Sequence, residues 1–269
     1  MGRSPAQPGG GEVRLPHTSR RLDWPDCRNT RDLGGLPTRR GLTRKGVMIR
    51  SDNVASLTTE GRQAMIDYGV STVIDLRSEA EVAGSPGPPF SEFQSISPRP
   101  RQGRGARSTT PVYQHLPLID DATAAILNQA PGMPERYVLM LERRQRGMGA
   151  IFDAIAAADG PVLFHCFAGK DRTGLVAAMM LAIAGVEPAA IGADFAETDV
   201  QLAGRYEEWL AKASPERLES MRNELRCPPE WMLSVLDYVD QKWGGVEGYL
   251  EAAGLPLSTI ARLQAKLTS

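Results

Sequence analysis

Apolar and polar positions along this chain follow two rhythms. Val47 to Arg50 and Ser71 to Leu76 are short apolar runs of the kind that form buried strands, and the stretch between them, from about Thr59 to Tyr68, reads as a helix. Phe93 to Ile96 and Val112 to Leu118 are further strand candidates. A long helical pattern covers about Pro134 to Ala158, a strand is expected over 161–165, and a helix follows from about Arg172. From about 188 to 268 the chain reads as mostly helical, with Trp209, Leu218, Met221, Leu225, Met232, Val235 and Val239 recurring near helical spacing. Strands alternating with helices predict an α/β fold, a mainly parallel sheet flanked by helices on both faces.

One junction in this pattern carries chemistry. Between the apolar stretches Pro161 to Phe164 and Leu175 to Ala184 stands His165-Cys166-Phe167-Ala168-Gly169-Lys170-Asp171-Arg172-Thr173-Gly174. The expected local structure is strand, tight loop, helix, with the loop at the carboxyl end of its strand, where open α/β sheets bind ligands. Such a loop turns backbone N–H groups toward an anion at a helix N-terminus and sets a thiol at the floor of that bowl. The helix end and a nearby guanidinium favour the thiolate. Cys166 is the candidate nucleophile, and Arg172 is the planar fork that can hold two phosphate oxygens. Phe167, Ala168, Gly169 and Lys170 are the candidate phosphate-binding residues, with Gly169 letting the backbone turn inward without a Cβ clash. Thr173 can donate its hydroxyl to the thiolate, and His165 is expected to orient the loop through its ring nitrogens. A Walker A loop does not fit, because Asp171 follows Lys170 and Phe164 stands five residues before Gly169. A sulfur-transfer loop usually spaces its cysteine and arginine differently.

This run resembles the signature of the bacterial atypical protein tyrosine phosphatases. Further stretches match in order: Asn29-Thr30-Arg31-Asp32-Leu33-Gly34-Gly35, with Thr30 where the family carries an aromatic, then Arg50-Ser51-Asp52, Val73 to Ser78, and Trp243 to Leu250. The resemblance covers roughly residues 22–268. It implies a cysteine-dependent phosphatase fold with a helical C-terminal part, working without metal or other cofactor. The implied activity is phosphomonoester hydrolysis through a phosphocysteine, on phosphotyrosine in proteins foremost, with phosphoserine, phosphothreonine and phosphoinositides also within the family's range. The general acid is open among three aspartates. Asp171 ranks first, because the family's loop aspartate is a candidate acid. Asp120 follows Leu116 to Ile119 at a strand end, where related phosphatases carry an aspartate on a mobile loop, and Asp121 is its neighbour. The competing reading of Asp120 and Asp121 is a helix N-cap before Ala122. Lys170 either raises the field of the bowl as a solvated cation or contacts a second phosphate. Some relatives cover the site with a helical lid, for which about 205–242 is the candidate here.

Other motifs are weaker. Trp24-Pro25-Asp26 spells the acid-loop tripeptide of eukaryotic-type tyrosine phosphatases, but it stands about 140 residues before Cys166 and is read as coincidence. Arg31-Asp32 and Asp75-Leu76-Arg77 are expected to form buried ion pairs that brace the loop from behind. Arg99, Arg101, Arg104 and Arg107 lie in a Pro/Gly/Ser stretch expected to be a solvated insertion. If Cys27 or Cys227 reaches Cys166, it could protect the nucleophile by a reversible disulfide or support arsenate reduction.

Composition narrows the picture. A net charge of −1 over 269 residues gives no basic field for nucleic acid. Three cysteines without metal spacing suggest neither a disulfide scaffold nor a zinc site. Residues 1–21 are expected to be a disordered tail, and 22–269 a single domain. With no signal-peptide or membrane-spanning run in view, a soluble cytoplasmic enzyme is expected, with export by another route left open. Its expected partners are phosphoprotein or phosphoinositide substrates, without stable membrane insertion; the oligomeric state is open. The alternative function is a catalytically silent module that binds phosphoprotein or phosphoinositide.

Overall fold

The computed structural model describes residues 20–85 and 110–268. In chain order its elements are β1 (Arg31–Asp32), the hairpin of β2 (Pro37–Thr38) and β3 (Gly41–Leu42), β4 (Met48–Ser51), α1 (Thr59–Tyr68), β5 (Thr72–Asp75), α2 (Glu79–Ala83) and β6 (Val112–His115). Then come α3 (Asp121–Leu127), α4 (Met133–Arg143), α5 (Gln145–Ala157), β7 (Val162–His165), α6 (Asp171–Ile183), α7 (Pro188–Leu210), α8 (Pro215–Leu225), α9 (Pro229–Trp243), α10 (Val246–Ala252) and α11 (Leu257–Thr268).

The main sheet has the order β1-β4-β7-β5-β6, parallel throughout except for β1, which pairs antiparallel with β4. Its strands alternate between two cores, as their period of two requires. Ile49, Val73 and Leu163 point into a small cluster with Met65 of α1, while Met48, Ile74, Val162 and Phe164 point into a large one shared with the remaining helices. Local signals set the ends. Thr58 caps α1 by accepting from Gly61 N, and Gly69 closes it in the left-handed conformation. Ser78 and Glu81 form a reciprocal capping box on α2. α6 is buried almost all round, between the sheet and α7, α9, α10 and α11.

Several expectations need correcting. The single helix expected over Pro134 to Ala158 is broken at Arg144, which leaves helical geometry (φ −116°, ψ 25°) and sends its guanidinium to Leu118 O, at 2.9 Å, and to Asp120. The strand expected at Phe93 to Ile96 and the four-arginine insertion lie outside the described residues, as does the tail up to residue 19. Arg20 and Arg21, assigned to that tail, are instead tied to the sheet: Arg20 O accepts from Asp32 N at 2.9 Å, and Arg21 bridges Arg31. The lid candidate at 205–242 shrinks. α9 buries Met232, Val235 and Val239 in the main core, whereas α8 buries no residue at all. The end of α7 and α8 are the parts of that range that bury no side chain in the main core. Among the described residues no helix is long and apolar enough to cross a membrane.

Candidate active site

The Cys166–Arg172 loop leaves β7 at the carboxyl end of the sheet and enters α6 at Asp171. Its carbonyls are pulled backward one after another. Phe167 O accepts from Asn53 N at 3.1 Å, Ala168 O and Gly169 O accept from Asn29 Nδ2 at 3.0 and 3.1 Å, and Gly169 O also accepts from Arg50 Nη2 at 2.8 Å. Lys170 O accepts from Gly174 N at 2.8 Å. With the carbonyls committed to the scaffold, the amides face the other way, at a helix start without a side-chain cap. Gly169 permits this twice over. Its φ is +67°, and a Cβ there would lie 2.5 Å from Ser51 O.

The anchors are anchored in turn. Asp194 of α7 meets Arg31 at 3.1 Å, Arg50 at 2.6 Å and Arg20 at 2.7 Å, and Arg31 also donates to Asn29 Oδ1 at 2.5 Å. Burial opposes the Asp194 charge, but Arg31, Arg50 and Arg20 overcome it and hold the carboxyl far below the usual range. Burial and then Arg31 push Arg50 down to about 10, which leaves it charged at neutral pH. Asp52 accepts from Arg28 N and Asn29 N at 3.1 Å and from Arg205 of α7 at 3.1 Å.

At the mouth, Arg172 is clamped by Glu81, with Nη1–Oε2 at 2.5 Å and Nη2–Oε1 at 2.7 Å. Burial opposes its charge, yet Glu81 and Cys166 raise its pKa. Cys166 is buried directly after β7 and, like Arg172, does not line the cleft beside Asp171, and the buried Thr173 Oγ1 has no protein partner among the described residues. His165 Nδ1 donates to Cys166 O at 3.1 Å, while its Nε2 stands 3.6 Å from Asp75; burial lowers its pKa, so the ring is neutral at pH 7. Asp171 accepts through Oδ1 from Tyr137 OH at 2.5 Å and from Lys170 Nζ at 3.1 Å. Burial works against its charge, but Lys170 and the Tyr137 hydroxyl outweigh it and hold the carboxyl below its ordinary value. Lys170 is no solvated cation: it is 3% exposed and also donates to Glu224 O at 2.5 Å. Phe167 is exposed and stacks on Trp209, with ring centroids 6.0 Å apart.

A cleft of about 390 Å³ opens on the Asp171 side of the loop, between Phe167, Ala168 and Lys170 on one side and Met133, Arg136, Trp209, Glu224 and Leu225 on the other. A larger cavity, about 670 Å³, lies around the opposite end of α6 near Gly185 and Gly244. Asp120 does not line the cleft over the loop; it caps α3 by accepting from Thr123 N at 2.8 Å and pairs with Arg144, and Asp121 is exposed in the first turn. Trp24 packs edge-on to Tyr68 at 5.9 Å in the small core, and Asp26 sits exposed in a turn. Of the two expected ion pairs, Asp75–Arg77 forms at 2.6 Å, but Arg31 pairs with Asp194 and Asp32 accepts from Gly34 N, Gly46 N and Tyr68 OH instead. Cys27 and Cys227 are free thiols that contact the Asn53 and Leu225 carbonyls, with Cys227 also 4.0 Å from Tyr206 OH, and burial pushes both pKa values up.

Glu81, Tyr137, Asn29, Arg50 and Asp194 carry much of this site and were not singled out from sequence as site residues. Asn29 and Arg50 stood in the stretches that resemble the family, without a role assigned, and Glu81 left a local trace of its own. Ser78-x-x-Glu81 is a capping-box pattern, and it sets a carboxylate in the first turn after the β5 end.

Residues 22–269 match the sequence model of the tyrosine phosphatase family. A tyrosine-protein phosphatase of Nostoc commune is 30% identical over 236 residues, covering 81% of this chain and 73% of its own. The triple specificity protein phosphatase PtpB of Mycobacterium tuberculosis is 26% identical over 279 residues, covering 91% and 98%. A backward-anchored Cys166–Arg172 loop, and a family match across nearly the whole chain, lead to one conclusion: the chain belongs to the tyrosine phosphatase family.

Proposed function

We propose that this phosphatase hydrolyses phosphomonoesters through a phosphocysteine, with phosphotyrosine in proteins as its main substrate and phosphoserine, phosphothreonine and phosphoinositides as secondary ones. The observation that carries the proposal is the loop itself. Four successive carbonyls, Phe167 to Lys170, are bonded away from the bowl, and Arg172 is clamped at its rim. Cys166 Sγ attacks phosphorus, and the amides and Arg172 stabilise the equatorial oxygens where charge is greatest. The scissile P–O bond gives its electron pair to the leaving oxygen, which takes a proton from Asp171. Water then attacks phosphorus, Asp171 takes its proton, and the P–S electron pair returns to sulfur. The surrounding protein groups lower the pKa of Asp171 and favour its anion; a phosphate dianion beside it raises that pKa and favours the protonated acid the first step needs. Thr173 Oγ1, buried without a protein partner among the described residues, is the candidate donor to the thiolate.

The turned-in position of Lys170 argues against a direct grip on a second phosphate, so phosphoinositides rank behind phosphopeptides. The name of the PtpB relative, triple specificity, supports a range wider than phosphotyrosine. Three unpaired thiols suit a reducing, cytoplasmic setting. Cys166→Ser tests the mechanism. It should abolish turnover of aryl phosphates and phosphopeptides while phosphate binding persists by calorimetry. Turnover at the wild-type level would overturn it. Phosphopeptide and phosphoinositide panels run side by side rank the substrates.

A further inference from the structure

The Asp171 carboxyl is held by one oxygen only. Oδ1 accepts from both Tyr137 OH and Lys170 Nζ, whereas Oδ2 has no hydrogen bond among the described residues. The two donors differ in how firmly they are fixed. Tyr137 is fully buried on α4 and stands edge-on to Phe195 of α7, with ring centroids 6.1 Å apart and planes at 87°. Lys170 divides its ammonium between Asp171 and the Glu224 carbonyl near the end of α8, the helix that buries nothing. Packing does not require the Tyr137 hydroxyl, since a phenylalanine ring fills the same space. A buried hydroxyl is costly unless bonded, and the partner it has here is Asp171.

We propose that Tyr137 is a positioning residue for proton delivery: by anchoring Oδ1 it leaves Oδ2 facing the cleft, where the leaving oxygen of the phosphomonoester departs. The role presupposes Asp171 as the general acid. As the P–O bond breaks, the leaving oxygen takes the proton from Oδ2, and the negative charge left on the carboxyl is received by the two donors at Oδ1. When water attacks the phosphocysteine, its proton goes to the same Oδ2.

The pH dependence follows from the groups around Asp171. Lys170 and Arg172 face it from its own loop and helix, Tyr137 from α4, Tyr206 from α7, and Cys227 from the segment after α8. Burial, then the Asp171 charge, keeps the Tyr137 phenol well above its ordinary value, so it stays a donor over the working range. Removing that donor removes an interaction that favours the carboxylate, so the pKa of Asp171 rises.

Tyr137→Phe, assayed on 4-nitrophenyl phosphate and on phenyl phosphate, tests the role. The first leaving group departs with little help, and the second needs the proton. We expect kcat/KM, which reports the leaving-group-dependent first step and not the shared hydrolysis of the phosphocysteine, to fall about tenfold on phenyl phosphate and less than about twofold on 4-nitrophenyl phosphate, a fraction of the 10²–10⁴ a whole general acid supplies. The alkaline limb of the rate profile should move to higher pH. Equal losses on both substrates with an unmoved limb would reduce Tyr137 to packing and overturn the proposal. If the variant folds poorly, 3-fluorotyrosine in place of Tyr137 is the second probe. Its stronger donor should move the limb to lower pH, and an unmoved limb overturns the proposal equally. Asp171→Asn separates the two layers. A selective loss on phenyl phosphate there, without one in Tyr137→Phe, refutes the role of Tyr137 alone. No selectivity in Asp171→Asn refutes both.

Discussion

The two sides of the reactive loop are built differently. Behind it, Asn29, Arg31, Arg50, Asp52 and Asp194 are all 4% exposed or less, and each is bonded to another charged or polar group of the scaffold. In front, Phe167 is 49% exposed, the Glu81 side chain 29%, and α8 buries no residue. Every one of these groups is bonded, though Arg50 Nε has no hydrogen-bond partner among the described residues, and buried paired charges fix a geometry because any rearrangement strands a charge in a low dielectric. A half-exposed aromatic on the loop and a helix that buries no residue can move at little cost. In the proposed mechanism the rear therefore sets where the phosphate sits for every substrate, and the front decides what can be attached to it.

The largest expected effect strikes the rear. Asp194→Asn leaves Arg20, Arg31 and Arg50 facing one another with their shared carboxylate gone. Breaking a buried charge network by removing one partner costs about 3–5 kcal/mol. Denaturant unfolding should show a loss of that size, and kcat/KM should fall by a similar factor on every substrate. The pH sign is fixed by the lowered Asp194 pKa. Its stabilisation is fully present above the unfolded aspartate value of about 4 and is lost as acid approaches the lower folded value. Wild-type stability should therefore decline on acidification below about pH 4 more steeply than that of the variant. A change in substrate ranking in Asp194→Asn would break the division between rear and front.

The front should answer with selectivity instead. Trp209 stacks on Phe167 with planes 24° apart and touches Tyr206, at 5.9 Å between centroids. An aromatic pair contributes about 0.5–1.5 kcal/mol beyond area. Trp209→Ala should raise KM severalfold for aryl phosphates, leave kcat near wild type, and shift the melting temperature little. A uniform loss across alkyl and aryl substrates would show that this aromatic wall supports the loop rather than the leaving group.

How much of this was legible in the sequence follows from distance along the chain. The loop from His165 to Thr173 is contiguous, and the strand before it and the helix after it follow from periodicity, so the candidate nucleophile, guanidinium and bowl could be named directly from the sequence. The parallel sheet followed from alternating elements in the same way. The partners that tune the loop come from far away: Glu81 reaches Arg172 across 91 residues, Tyr137 reaches Asp171 across 34, and Asp194 reaches Arg50 across 144. No local period marks such pairs. The expected pairing of Arg31 with Asp32 failed for the opposite reason. Neighbours on a strand point to opposite faces, so each finds its partner elsewhere.

The smallest effect concerns the rival acid. Asp120 caps α3 through Thr123 N and pairs with Arg144 while its side chain is 49% exposed. An exposed ion pair contributes little, and losing a helix cap costs about 1 kcal/mol, so Asp120→Ala should lower stability by about that amount. Because Asp120 does not line the cleft that holds Asp171, the variant should keep the alkaline limb of wild type and the same ratio of rates on phenyl and 4-nitrophenyl phosphate. A selective loss on phenyl phosphate would require Asp120 to leave its cap and swing to the phosphate, and the front of the loop would then owe its proton to α3 rather than to Asp171.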